Sequence, residues 1–231
     1  MKPIEAMFKD INLKQKKCLD IGFGLAGAAT HLATKYGANV FGIEINPWMV
    51  SEANKKIPPT LKDLLRFVAN DDFPKIPFAE NEFDIVYSKG VLVHLPDKQE
   101  TFNEIFRVLK PGGTLVIDDW LSQNDNAWSD RVKKLCEIEN LSLFAISEQS
   151  YLDVIKRAGF KNTATKNVSQ QYSRYNFKIV KRLQDKNISK IFQEKFGEKL
   201  GIDSMIECYQ LIADAMKNDE IIVMNIRAEK K

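Results

Sequence analysis

Short apolar runs alternate along most of the chain with longer segments whose apolar residues recur every three or four positions. Short runs that end in a turn are typical of buried strands, and the longer periodic segments are typical of amphipathic helices. The predicted strands are residues 18–22, 39–45, 65–71, 83–89, 112–120, 161–168 and 220–228. The predicted helices are residues 24–37, 46–57, 97–110 and 147–160. This alternation predicts an α/β fold, in which helices cover both faces of a doubly wound, mostly parallel seven-stranded sheet.

The pattern changes between the last two predicted strands. Residues 169–217 are mostly helical in pattern, rich in charged residues and dotted with aromatic ones. We expect a helical insertion here, before the last strand, that packs over the carboxyl edge of the sheet. The chain has 231 residues, against about 150 for a typical domain. This length fits a single domain, residues 1–231, enlarged by the insertion.

Composition and charge narrow the class of protein. Hydrophobic residues make up 44% of the chain and charged residues 28%, which gives enough apolar mass for a folded core. The net charge of +3 is too small for a nucleic-acid-binding surface, so no nucleic-acid partner is expected. The first residues lack the apolar stretch of a signal peptide, and no run is long enough to cross a bilayer. We therefore expect a cytoplasmic protein without membrane contact.

Cysteine and histidine content bears on metal and redox chemistry. Cys18, Cys136 and Cys208 have no paired spacing, so neither a disulfide framework nor a zinc site is indicated. The chain has two histidines, His31 and His94, and centres built from several imidazoles are not expected. No metal is predicted.

A glycine-rich turn is the first feature that indicates a ligand. Gly22, Gly24 and Gly27 have G-x-G-x-x-G spacing after the first predicted strand, and they open the first predicted helix. Glycines suit a turn at which a ligand approaches bare backbone, and the N-terminus of a helix offers unpaired N–H groups. The spacing alone is also compatible with a turn that binds nothing.

Carboxylates near the ends of the first three strands make the motif more specific. Glu44 follows the glycines by about 20 residues, where a carboxylate can hold both hydroxyls of a ribose. Asp71 and Asp72 end the third strand. Dinucleotides and S-adenosylmethionine both fit this layout, but Asp20 would repel a pyrophosphate and suits a ligand with an ammonium group. No tyrosine has a lysine four residues on, as a short-chain dehydrogenase would need, so the pattern favours S-adenosylmethionine.

Four ordered motifs resemble those of class I S-adenosylmethionine-dependent methyltransferases. They are LDIGFGLAG at residues 19–27, GIEI at 42–45, NDDFPKIPFAENEFDIVYSKGVLVHL at 70–95 and IFRVLKPGGTLVIDDW at 105–120. The resemblance covers the expected cofactor-binding half, residues 17–120, and continues more weakly through residues 150–160. It is greatest to small-molecule N-methyltransferases of the phosphoethanolamine and sarcosine/dimethylglycine types. It implies a Rossmann-like fold.

The resemblance also implies roles for individual residues. The methionine part of the donor would lie on Gly22 and Gly24, the ribose on Glu44 and Ile45, and the adenine beside Asp71 and Asp72. Ser88, Lys89 and His94 would border the methyl-transfer site. The predicted donor set consists of Asp20, Gly22, Gly24, Gly27, Glu44, Ile45, Asp71, Asp72 and Ser88. The predicted acceptor set is Lys89, Asp119 and Trp120, with His94 as the catalytic residue.

The chain departs from phosphoethanolamine-type enzymes in two places. Those enzymes have a longer N-terminal segment with a tyrosine that covers the site, and that tyrosine has no counterpart here. They hold phosphate with tyrosines and an arginine after the fifth strand, where an ungapped alignment puts Trp120, Leu135, Glu139 and Leu141. An aromatic and apolar wall with one carboxylate favours an uncharged or cationic amine over a phosphorylated one.

Methyl transfer depends mainly on orientation and on the exclusion of water. His94 is the imidazole expected near the site and is the candidate base, since imidazole can accept a proton near neutral pH. Asp119 and Trp120 follow the fifth strand, at the edge where open α/β sheets place ligands. A turn residue and a packed core aromatic would show the same pattern.

The sequence thus predicts an S-adenosylmethionine-dependent methyltransferase that acts on a small-molecule acceptor, at an amine nitrogen. Two alternatives stay open. One is a carbon or oxygen methyltransferase with a quinone-like or lipid acceptor, which Leu135, Leu141 and Phe144 would suit. The other is an inactive homologue that binds S-adenosylmethionine without turnover. The oligomeric state is not predicted.

Overall fold

A seven-stranded sheet forms the centre of the fold in the computed structural model, which describes residues 3–196 and 201–231. The strands are β1 (Lys17–Ile21), β2 (Asn39–Glu44), β3 (Leu65–Ala69), β4 (Phe83–Lys89), β5 (Leu109–Leu121), β6 (Lys161–Asn167) and β7 (Ile222–Glu229). Their order in the sheet is β3-β2-β1-β4-β5-β7-β6. The chain therefore winds outward from β1 to β3, and then outward again on the other side from β4. In open sheets of this kind, ligands bind where the winding direction reverses, here between β1 and β4.

Strand directions divide the sheet into two parts. The pairings of β1 with β2 and β4, of β2 with β3 and of β4 with β5 are all parallel. Hydrogen bonds join Gly112 N to Lys230 O and Lys230 N to Gly113 O, and Asn225 reaches Ile117 O. The residue numbers on the two strands thus run in opposite directions, so β7 is antiparallel to β5. The predicted fold class, a mostly parallel seven-stranded sheet, is confirmed.

Nine helices lie in the described part of the chain. They are α1 (Pro3–Met7), α2 (Gly27–Tyr36), α3 (Pro47–Lys55), α4 (Lys98–Val108), α5 (Asp130–Glu139), α6 (Glu148–Arg157), α7 (Ser169–Leu183), α8 (Lys186–Phe196) and α9 (Ile202–Lys217). Short 3-10 turns occur at Pro59–Leu61 and Leu92–His94. The last three helices fill the interval before β7, where the helical insertion was predicted. Within the described residues, no helix has the length and apolar character needed to span a membrane.

Local chemistry explains where the helices near the glycine turn begin and end. α2 begins at Gly27, after Ala26 in the left-handed conformation, and ends at Gly37, which is also left-handed. It starts three residues later than predicted, because Gly24 to Ala26 form the loop itself. α3 begins where the Asn46 side chain accepts hydrogen bonds from Trp48 N and Met49 N, a strong helix-starting arrangement.

The chain divides into two compact units. One contains the chain up to Asp119, Tyr151–Lys166 and Asn225–Lys231, and it holds most of the sheet. One of its apolar clusters includes residues from β1 to β5, α1 and α2. The second unit contains Trp120–Ser150 and Asn167–Met224. In it, Val132, Tyr172, Met216 and Val223 are buried in a separate apolar cluster.

Candidate active site

A cavity of about 450 Å³ opens at the carboxyl ends of the first four strands. Its lining comes from the loops that directly follow β1, β2, β3 and β4, all within the first unit. The lining residues are Ile21, Gly22, Gly24, Ile43, Glu44, Ile45, Met49, Asn70, Phe73, Gly90, Val91, His94 and Leu95. The cavity includes the point where the winding of the sheet reverses, as expected for an open α/β sheet.

The glycines of the turn after β1 differ in the space around them. Gly22 and Gly24 have φ angles of +73° and +57°, which L side chains rarely adopt. A Cβ atom on Gly22 would lie 2.5 Å from Val91 Cγ2, whereas a Cβ atom on Gly24 would meet nothing within 4 Å. Gly22 therefore lets the turn pack against the loop after β4, and Gly24 leaves bare backbone facing open space. Gly27 starts α2 and is not among the lining residues.

Glu44 joins the ends of β1 and β2. Its Oε2 atom accepts a hydrogen bond from Gly24 N at 3.0 Å, and its Oε1 atom accepts one from Asn46 N at 3.1 Å. A carboxylate has about four lone-pair sites, so two remain for other donors, as a ribose with two hydroxyls would need. Ile45 follows at the mouth of the cavity, with 64% of its surface exposed.

Asp20 and Ser88 lie behind the cavity wall. The Tyr87 hydroxyl donates to Asp20 Oδ2 at 2.9 Å, and the Ser88 hydroxyl donates to Ile21 O at 3.0 Å. Burial raises the pKa of Asp20 to about 7, although the Tyr87 hydrogen bond and the charge of Lys89 act in the opposite direction. Both side chains are buried and neither is among the lining residues.

The loop after β3 lines the cavity with different residues from the two that were predicted to lie beside the adenine. Asp71 and Asp72 are exposed, and Asp72 makes a surface ion pair with Lys75 at 3.7 Å. Asn70 and Phe73, on either side of them, line the cavity instead. The Asn70 amide donates to Lys75 O at 3.0 Å, which holds the loop closed.

His94 lies at the end of the 3-10 turn Leu92–His94 and lines the cavity. The predicted acceptor residue Asp119 is fully buried. Its oxygens accept hydrogen bonds from Val93 N at 3.2 Å and from the Tyr151 hydroxyl at 2.9 Å. Lys89 is exposed at the end of β4. Loss of water contacts to the surrounding protein lowers the pKa of Lys89, while the charges of Asp118 and Asp20 oppose that shift.

Residues 19–117 match the family described as "Methyltransferase domain". Over these residues the chain matches a methyltransferase domain. This family uses S-adenosylmethionine as its methyl donor, and the predicted resemblance to it is confirmed over residues 19–117. The match runs from within β1 to within β5, and the cavity-lining residues named above all lie inside it.

Two curated relatives show how varied the acceptors of similar methyltransferases are. Phosphoethanolamine N-methyltransferase of Plasmodium falciparum is 34% identical over 170 residues, which are 72% of this chain and 62% of that protein. The 2-methyl-6-phytyl-1,4-hydroquinone methyltransferase of Synechocystis is 39% identical over 121 residues, 50% of this chain and 37% of that protein. The chain thus spans less than two thirds of either relative.

Solved structures share the fold of nearly the whole chain. A sarcosine dimethylglycine methyltransferase of Galdieria sulphuraria, described as putative, superposes with a TM-score of 0.77 at 21% identity, over 96% of this chain and 80% of that one. Phosphoethanolamine N-methyltransferase 2 of Haemonchus contortus, in complex with phosphomonomethylethanolamine and S-adenosylhomocysteine, gives 0.82 at 21% identity. That match covers 98% of this chain and 51% of the other. At this level of identity, the likeness concerns the fold.

The residues after β5 pack within the second unit. Trp120 lies against the apolar cluster that contains Val132 and Met216, and Leu135 is buried with 1% of its surface exposed. Glu139 hydrogen-bonds Cys208 and, with burial as the larger cause, raises the pKa of that thiol to about 12. Leu141 stays exposed. Leu135 is therefore a core residue, whereas Trp120 is only partly buried, and its role towards an acceptor stays a prediction.

Sequence reasoning missed several lining residues of the methyltransferase domain. Asn70 directly follows the last residue of β3, a position equivalent to the strand ends that were used to find Glu44, so its position could have identified it. Met49, Val91 and Leu95 are apolar residues in loops and helices, and in a sequence they look the same as core residues. Among the described residues, no three His, Cys, Asp or Glu side chains form a possible metal site.

Proposed function

We propose that this chain is an S-adenosylmethionine-dependent methyltransferase that methylates a small-molecule acceptor at an amine nitrogen. The observation that carries the proposal is the cavity in which bare backbone at Gly24, spare acceptor sites on Glu44 and the imidazole of His94 come together. These groups suit a ligand with a ribose at one end and a reacting centre at the other. Bound S-adenosylmethionine would supply an electrophilic methyl group on a sulfonium centre.

The residues of the chain divide the remaining work. Gly24 allows the donor to approach the backbone, Gly22 lets the turn pack against the loop after β4, and Glu44 accepts hydrogen bonds from the ribose hydroxyls. Val91 and Leu95 supply apolar surface beside His94, which helps to exclude water from the reacting atoms. His94 takes the proton that an ammonium acceptor must lose before its nitrogen can attack.

The acceptor is proposed to lack a phosphate group. A bound phosphate is normally matched by Arg or Lys side chains. None of the described residues that line the cavity is Arg or Lys, and Glu44 is the one charged carboxyl side chain in the lining. An uncharged or cationic amine is compatible with this lining, whereas a phosphate would lose its hydration without gaining a cation.

A second function is favoured by a different observation. The quinol methyltransferase of Synechocystis is 39% identical to this chain over 121 residues, and Leu141 and Phe144 are large apolar residues with 38% and 39% of their surface exposed. Carbon or oxygen methylation of an apolar acceptor is therefore the alternative.

A side-by-side turnover assay tests the proposal. Purified protein with S-adenosylmethionine labelled in the methyl group is offered ethanolamine, phosphoethanolamine and a soluble quinol, and the labelled product is measured. Faster turnover of ethanolamine supports the proposal. Preferred turnover of phosphoethanolamine contradicts the acceptor assignment, and preferred turnover of the quinol favours the alternative. Binding of S-adenosylhomocysteine by calorimetry, without turnover of any of the three, would indicate an inactive homologue.

A further inference from the structure

Two buried side chains of opposite charge hold the backbone on either side of His94. Lys98 has 5% of its surface exposed and Asp119 has none. Asp119 Oδ1 accepts a hydrogen bond from Val93 N at 3.2 Å, and Lys98 Nζ donates one to Leu95 O at 2.9 Å. The peptide group before Val93 and the peptide group after Leu95 are therefore fixed, so the three-residue segment centred on His94 is held at both ends.

Asp119 is itself held by a second donor. The Tyr151 hydroxyl donates to Asp119 Oδ2 at 2.9 Å. Tyr151 is fully buried, and its ring packs edge-on against Phe102 at 5.4 Å between ring centroids. Because each carboxylate oxygen has a different donor, the carboxylate cannot rotate without losing both hydrogen bonds. The support for the turn is therefore rigid.

A buried pair of charges is a costly way to hold a loop. Burial lowers the pKa of Lys98, and the charge of Asp119 opposes that change only in part. A charged side chain taken out of water costs free energy, which its hydrogen bonds offset only in part. Here the pair lies at the one turn that brings an imidazole to the cavity, which indicates a role in geometry.

We infer that Asp119, with Lys98 as its partner, is a positioning residue that sets the direction of the His94 imidazole in the cavity. The inference rests on the proposed function, in which His94 receives a proton from the acceptor. The sequence had placed Asp119 in the acceptor set, whereas in this inference it acts on His94 through the turn. A small displacement of a reacting group can cost about 100-fold in rate, so loss of this support should have a measurable effect.

The first test needs no substrate. The chain has two histidines, so its imidazole NMR signals can be assigned with the single variant His31→Gln. Asp119→Asn keeps the size of the side chain but removes the charge, and its one acceptor oxygen can take only one of the two hydrogen bonds that Asp119 accepts. We expect the His94 signals to move or broaden while the His31 signals stay in place. Tyr151→Phe, which leaves the bond to Val93, should move them less.

Unchanged His94 signals in folded Asp119→Asn would overturn the inference. If Asp119→Asn does not fold, Lys98→Gln is used instead, since it removes the ammonium group that hydrogen-bonds Leu95 O. The same change in the His94 signals is then expected. Signals of His31 that move together with those of His94 would point to a general disturbance of the fold and would also count against a positioning role.

The second test uses a double-mutant cycle. In the wild-type background, Asp119→Asn should lower kcat by about 10- to 100-fold with little change in the affinity for S-adenosylhomocysteine. In the His94→Ala background, the same substitution should have almost no further effect, because the group that it positions is gone. Losses that multiply in the double variant would overturn the inference. Failure of the proposed function would be visible without any change at Asp119. The wild type would not methylate an amine, or His94→Ala would keep full activity.

Discussion

Gly24 allows a test in which backbone strain and loss of ligand space can be separated. Gly24→Val should place a side chain in the open space of the cavity and abolish detectable binding of S-adenosylhomocysteine by calorimetry. Gly37 is the matched control, because it also has a left-handed φ and would also place a Cβ with nothing within 4 Å, but it ends α2 outside the cavity. Each variant should lose about 1–2 kcal/mol of stability, because it places a side chain on a left-handed backbone position. Equal donor affinity in both variants would contradict the site.

Glu44 should contribute to donor affinity through its remaining acceptor sites. A hydrogen bond to a charged group contributes about 1.5–3 kcal/mol, so Glu44→Ala should weaken binding of S-adenosylhomocysteine about tenfold or more, as measured by calorimetry. Glu44→Gln keeps one oxygen acceptor and should do less harm. Glu52→Ala removes a partly exposed carboxylate that pairs with Lys55 on α3, and it should leave the affinity unchanged. Wild-type affinity in Glu44→Ala would place the ribose elsewhere.

Asp20 should make the stability of the fold depend on pH. Its pKa is about 7 in the folded chain, against 3.8 for an unperturbed side chain. The unfolded chain releases this proton near pH 4 and the folded chain holds it to about pH 7, so the stabilisation is complete below pH 4 and is lost as the pH rises to 7. The loss can reach about 4 kcal/mol, at 1.36 kcal/mol per pKa unit.

Asp20→Asn cannot ionise, so its free energy of unfolding should fall less than that of the wild type across this pH range. Urea unfolding at several pH values between about 4 and 8 measures the difference. Asp72→Asn, at an exposed position, is the control and should follow the wild type. Parallel pH curves for Asp20→Asn and the wild type would show that Asp20 is ionised in the folded chain well below pH 7.

Among the elements, strands were predicted better than helix boundaries. β1 to β4 are short apolar runs between polar turns. Because these strands are buried, their sequences must be apolar, and the prediction agreed with the structure within a few residues. α5 was not predicted, because only Val132 and Leu135 are buried along it and no apolar stripe appears in the sequence. Its end signals were present, with Ser129 before the helix and Asn140 after it in a left-handed conformation.

The stability of α5 should depend on those end signals. The Ser129 hydroxyl accepts a hydrogen bond from Val132 N at 3.4 Å and donates one to Glu220 Oε2 at 2.6 Å. Ser129→Ala should therefore lower the free energy of unfolding by about 1 kcal/mol, measured by urea denaturation. Ser51→Ala, at an exposed position of α3, should be close to neutral. No difference between the two variants would mean that α5 does not need its cap.

At the scale of the whole molecule, the sequence predicted the loops that line the cavity better than it predicted the packing near the end of β5. The loops that line the cavity follow regular strands, so their positions in the sequence determine that they meet at one edge of the sheet. The residues after β5 lie in a second compact unit, where tertiary packing decides which side of a helix is buried. An ungapped alignment carries no information about that packing, and Trp120 and Leu135 were for this reason placed in an acceptor wall.

The whole chain should be stabilised by the donor product and not by a dinucleotide. A ligand at 100 times its Kd adds about 2.7 kcal/mol to stability, so S-adenosylhomocysteine should raise Tm in a thermal melt. NAD should not, because the described lining offers no Lys or Arg for its pyrophosphate. A comparable rise in Tm with NAD would contradict the identification of the ligand.

The hydrogen bond from Gly24 N to Glu44 has a consequence for the kinetics of binding. The glycine turn is already fastened to the next strand before any ligand arrives, so little chain entropy is lost on association. Capture should then be a single fast step, and weakened variants such as Glu44→Gln should differ from the wild type mainly in how quickly the ligand leaves. Stopped-flow mixing with S-adenosylhomocysteine would show this as nearly equal association rates and unequal residence times.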